Sequence, residues 1–127
     1  MQINLETREK HTIQSYSDSQ IMANNIQYNQ SLIIGRQAIF SPWPIYSVQD
    51  LTEERLNPIL EMQPEVILIG HNQLGDHVPM HLIEYLSKQR IGIECMSIGA
   101  ASRTFNVLLG EERAVVIGIV FPILSCV

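Results

Sequence analysis

Ile91-Gly92-Ile93-Glu94-Cys95-Met96-Ser97-Ile98-Gly99-Ala100-Ala101-Ser102-Arg103-Thr104-Phe105-Asn106-Val107-Leu108-Leu109 is the stretch that decides the fold. It opens as an apolar strand and changes period after Met96. Ala101, Phe105, Leu108 and Leu109 then recur at helical spacing, Ser97 is placed to cap the helix, and Gly110 suits the C′ position. A second apolar run, Ala114 to Phe121, follows and stops at Pro122. Strand, helix, strand is the unit of a parallel sheet.

Upstream the same rhythm continues. Glu65-Val66-Ile67-Leu68-Ile69-Gly70 is a continuous apolar run, as expected of a strand covered on both faces. Leu82, Ile83, Tyr85 and Leu86 predict a helix, with Pro79 in its first turn. Asp50 or Thr52 predicts the cap of an earlier helix with Glu53 and Glu54 in its first turn. Leu56, Ile59 and Leu60 give that helix an apolar side, and Pro58 predicts a kink or a broken last turn. The N-terminal part reads as antiparallel strands instead. Thr12 to Tyr16 is one, Ile21-Met22-Ala23 and Ile26-Gln27-Tyr28 flank an Asn24-Asn25 turn, and Ser31 to Ile34 closes at Gly35. Ser41-Pro42-Trp43-Pro44 cannot pair regularly, and we read it as a bend that carries Trp43 to a packing position, in the core in preference to a surface anchor for a partner.

The chain has 127 residues, 46% of them hydrophobic and 17% charged, which is one domain (1–127) with a substantial core. Eight Lys and Arg are scattered, and the net charge is −5. That disfavours nucleic acid as a partner. Two cysteines make no disulfide framework, and no zinc-type spacing occurs. Cys95 is expected to pack as a small hydrophobe. The longest apolar run, Ala114 to Leu124, is about half the roughly 20 residues of a membrane helix, and residues 1–6 lack a basic, apolar leader. No integral membrane segment and a cytoplasmic location are the expectations.

Three blocks resemble a known family: residues 65–70, residues 91–96, and Ala101-Ser102-Arg103-Thr104-Phe105-Asn106-Val107-Leu108-Leu109 with Glu111 and Arg113. Together they resemble the Mth938-like family, a domain of unknown function that includes a mitochondrial assembly factor for respiratory complex I. The Arg-Thr-aromatic-Asn-Val-Leu block is the most specific part. The resemblance implies a three-layer α/β fold, with a mixed central sheet flanked by helices and additional antiparallel strands from the N-terminal half. It implies no reaction. The sequence departs from the family pattern at three loop positions. Gly70-His71-Asn72 stands in place of Gly-Thr-Gly, Ser97-Ile98 in place of Asp-Thr, and Ser102 in place of Cys. A thiolate reaction cannot be carried over to Ser102.

The candidate ligand site is the start of the helix after Met96: Ser97, Gly99, Ala100, Ser102, Arg103 and Thr104. Unpartnered N–H groups of Ile98 to Ala101, small side chains and one guanidinium would together suit an anion. In the alternative, the small residues serve close packing and Arg103 pairs with Glu94 or Glu111. His71, His77 and His81 with Asp76 would suit a metal only if His77 and His81 shared a helix face, which Pro79 opposes. Ser102 with His71 or His77 and Asp76 lacks the Gly-x-Ser-x-Gly turn of a hydrolase. No catalytic residue, cofactor or metal is assigned, and the enzyme question leans to no. The expected function is a binding or assembly factor with a protein partner. The other class is an enzyme or sensor of a small anion at the Ser97–Arg103 turn. The sequence leaves the oligomeric state open.

Overall fold

The computed structural model describes residues 11–73 and 75–123. Cys126 and the first ten residues lie outside that range. Three strands, β1 (Ile13–Tyr16), β2 (Ile21–Ala23) and β3 (Ile26–Tyr28), form a small antiparallel sheet. Asn24 and Asn25 turn β2 into β3 with φ of 55° and 62°, the left-handed conformation that asparagine tolerates. The main sheet adds β4 (Leu32–Ile34), β5 (Ile39–Phe40), β6 (Val66–Gly70), β7 (Gly92–Met96) and β8 (Val115–Ile119), in the order β5-β4-β8-β6-β7. β6 pairs in parallel with β7 and β8, whereas β4 runs antiparallel to β5 and β8, so the sheet is mixed.

Side chains of the central strands alternate between two cores. Leu32, Ile34, Leu68, Ile117 and Ile119 face helix α3 (Ile98–Gly110) and the small sheet. Ile33, Ile67, Ile69, Val116 and Val120 face α1 (Glu53–Leu60), α2 (Met80–Ser87) and the bend at Trp43. A strand buried on both faces has no polar side to expose, which is why β6 and β8 read as unbroken apolar runs.

Local chemistry sets the ends. Thr52 Oγ1 accepts from Arg55 N at 3.1 Å and caps α1, which ends two residues after Pro58. Asp50 caps nothing of α1. Its carboxylate takes the N–H groups of Tyr46 and Ser47 around a 3-10 turn. Gly110 is the last residue of α3 rather than its C′ residue, and Glu112 adopts the left-handed φ of 63°. β5 has no counterpart in the sequence reading.

Trp43 is buried, and its Nε1 donates to Arg55 O at 3.0 Å. The ring packs against β8 at Gly118, where a Cβ would stand 2.6 Å from Trp43 Cζ3. Gly70 plays the same part on the opposite face. A Cβ there would approach Ala101 Cβ to 3.0 Å, so α3 rests directly on β6.

Candidate functional site

The chain leaves β6 towards α2 on one face of the sheet and leaves β7 towards α3 on the other. The carboxyl ends of these two adjacent parallel strands therefore form the crevice where open α/β sheets take ligands. The sequence-predicted site lies here, and neighbouring residues already occupy much of it. Ser97 Oγ accepts from Ala100 N at 3.2 Å, as a cap should. Ala101 N donates to Ser97 O at 2.8 Å. Ile98 N donates to Asn72 Oδ1 at 3.3 Å, and Asn72 Nδ2 donates to Asp18 Oδ1 at 2.7 Å. Of the four N–H groups expected to face outward, only that of Gly99 has no partner among the described residues.

Arg103 pairs with neither Glu94 nor Glu111. Its Nη1 donates to Tyr16 Oη at 2.6 Å, and its guanidinium carbon lies 6.0 Å from the Tyr16 ring centroid. Gly99 is small because that ring covers it, since a Cβ there would meet Tyr16 Cε1 at 2.9 Å. Ala100 is half-buried, and Thr104 Oγ1 sits 3.8 Å from Met96 Sδ. Two surface cavities among the described residues lie elsewhere. One of about 460 Å³ is lined by Pro42, Pro44, Tyr46 and Phe121 among others. The other, about 370 Å³, includes Arg36, Glu61, Met62 and Arg113.

Ser102 is fully buried, and its hydroxyl has no hydrogen-bond partner among the described residues. It is out of reach of a substrate, and His71 does not activate it. A buried hydroxyl without a partner costs about 1–3 kcal/mol. Ser102→Cys keeps the shape and replaces the hydroxyl with a thiol that is easily buried. It is expected to raise stability by about 1 kcal/mol, a few degrees in melting temperature, with Ser102→Ala gaining less because it leaves a void. Urea titration of the three proteins checks the order. A loss in both variants would show that the hydroxyl is satisfied.

His71 is buried at the end of β6, and Gln73 N donates to its Nδ1 at 3.0 Å. The proton of the neutral ring is thereby placed on Nε2. Burial pushes its pKa down, with a smaller opposing pull from Asp76. The unfolded chain therefore takes up this proton first as pH falls. Stability tied to His71 is complete above about pH 6.5 and is lost progressively below it. NMR titration of the ring is expected to give a midpoint below 6.5, and a midpoint at or above that value would contradict the assignment. His77 precedes α2, so it shares no helix face with His81. Among the described residues no three His, Cys, Asp or Glu side chains are grouped to hold a metal ion. Burial pushes the Cys95 thiol up to about 11, so it stays protonated and unreactive at neutral pH.

Sequence reasoning missed Asn72, Tyr16 and Asn106 as organisers of this region. Asn106 Oδ1 accepts from Ile13 N and its Nδ2 donates to Ile13 O, both at 2.9 Å. One signal was present: a poor helix former in the middle of an apolar helix. Asn72 and Tyr16 gave none, because their partners come from distant segments.

No described helix is long and apolar enough to cross a membrane. The chain is 30% identical over 106 residues to a Drosophila melanogaster protein named NADH dehydrogenase (ubiquinone) 1 alpha subcomplex assembly factor 3. That match takes in 75% of this chain and 53% of the fly protein, so the chain spans about half the length of that relative. It is 29% identical over 101 residues to the 13 kDa major membrane protein of Francisella tularensis subsp. holarctica strain LVS, covering 79% of this chain and 82% of that one. The solution structure of a Bordetella pertussis Mth938-like domain superposes with a TM-score of 0.76 at 21% identity, over 94% of this chain and 92% of that one, and so shares the fold. A family model described as a protein of unknown function (DUF498/DUF598) matches residues 13–120. On that match and the shared fold, the chain belongs to the Mth938-like family.

Proposed function

We propose that this protein is a non-catalytic assembly factor that acts by binding another protein, at the surface of a respiratory or other membrane-associated complex reached from the cytoplasm. The observation that carries the reading is the kinship with a named assembly factor across three quarters of the chain. The site geometry agrees with it. The strand-end crevice is bridged by Asn72, the one serine beside the arginine is buried, and the cysteine of β7 is a protonated thiol. Each of these groups does structural work where an enzyme would hold reactive ones. The small-anion reading is the weaker, because Arg103 and most of the helix-start donors are already engaged.

The test is capture from native lysate with the intact chain as bait, followed by mass spectrometry. A stoichiometric protein partner that survives stringent washing is the expected result. No partner, together with turnover of a metabolite by the purified chain, would overturn it.

A further inference from the structure

Among the described residues β7 pairs with β6 alone and forms one edge of the main sheet. Gly92 N donates to Glu65 O, and Met96 O accepts from His71 N. Alternation then turns the backbone groups of residues 92, 94 and 96 towards β6 and those of Ile93 and Cys95 outward. These outward groups have no partner among the described residues. The other edges are shorter or occupied. β5 has two residues, β3 has three, and the free side of β1 at Ile13 is taken by Asn106. β7 has five, with no proline and an unbroken register against β6.

Both cores also reach this edge incompletely covered. Ile93 and Cys95 are half-buried beside Tyr85 and Ile91 on one face. Met96 and Leu108 are half-buried on the other. An added strand would cover both sets and satisfy the outward backbone groups at the same time.

Glu94 decides what can add. It is exposed at the middle of the strand. If two copies of this chain paired through β7 with full overlap, Glu94 would stand opposite its own counterpart, and like charges directly opposed destabilise a strand pair. A shift of two residues keeps the faces matched but gives up two of the pairs. A lone charge on an edge blocks indiscriminate pairing while selecting a partner of opposite sign. We propose that the outer edge of β7 docks an extended segment of a partner protein that sets a lysine or arginine opposite Glu94. This rests on the reading of the chain as a protein-binding factor.

The test uses the full chain and two blocked synthetic peptides of alternating valine and threonine, one with a central lysine and one with a central glutamate. The lysine peptide is expected to shift the amide resonances of Ile93 and Cys95 and protect them from hydrogen exchange. It should bind about tenfold more tightly than the glutamate peptide, and Glu94→Lys should invert that order. Glu94 is exposed, so the variant is expected to fold. Unmoved β7 amides, an order that Glu94→Lys leaves unchanged, or self-association through β7 that Glu94→Gln strengthens would each overturn the proposal. If a partner is captured from lysate and the peptides fail, the docking strand is wrong and the assembly role stands.

Discussion

Trp43→Ala is expected to lower the unfolding free energy by about 3–5 kcal/mol, a large part of the total for a domain of this size. Trp43 is 1% exposed, so the whole indole leaves a cavity on truncation. The ring is also the contact between β8 and the 43–51 segment. Gly118 has no side chain with which to refill the space, and Arg55 O loses the indole donor. Guanidinium denaturation at neutral pH measures the loss. Trp43→Phe separates the two contributions: it restores most of the packing and removes only the indole N–H that donates to Arg55 O, so it should cost about 1 kcal/mol. A loss below about 1 kcal/mol for the alanine variant would mean that the bend is not packed on Gly118 as described.

The fold was legible where residues act locally or where a strand is buried on both faces. Ile67-Leu68-Ile69 and the β8 run declare themselves because neither face meets water. Asn24-Asn25 marks its turn because few residues accept positive φ. The prolines on either side of Trp43 mark a bend, and a lone tryptophan in a small domain is expected to pack inside, as it does. β5 was not legible, since two residues between a turn and Pro42 show no period. At the candidate site, local features were read correctly and non-local ones were not. Ser97 caps α3, as its position beside the apolar run implies. At that helix start Ile98 N is taken by Asn72, which Asp18 holds in turn, and the partner of Arg103 is Tyr16, 87 residues away in sequence. A single sequence carries no trace of such pairings, so an occupied helix start resembles a vacant one.

The same limit hides the role of Asn106, which stands in the family-like block but whose partner is far away in sequence. Its amide closes both backbone groups of Ile13 and so joins the small sheet to α3 across 93 residues. Beside this contact the register of β1 on β2 is irregular, between Ile13 and Ser15. Asn106→Leu matches the size of the side chain and removes both hydrogen bonds. It should cost about 2–4 kcal/mol, because Ile13 is buried and its N–H and C=O are left without partners. Loss of amide protection in β1 and β2 ahead of β6 and β8 in native-state hydrogen exchange would locate the damage. Asn106→Asp is the sharper variant. Its carboxylate can still accept from Ile13 N, but it faces Ile13 O with no proton to donate. Folding should therefore favour the protonated acid and raise the pKa of Asp at this position. A group raised in the folded state contributes its stability in full below the unfolded value, and that contribution is lost as pH rises through the folded value. Relative to wild type, the aspartate variant should thus be least stable at neutral pH and recover towards acid pH. A deficit that does not change with pH would mean that the amide N–H of Asn106 is not donating to Ile13 O.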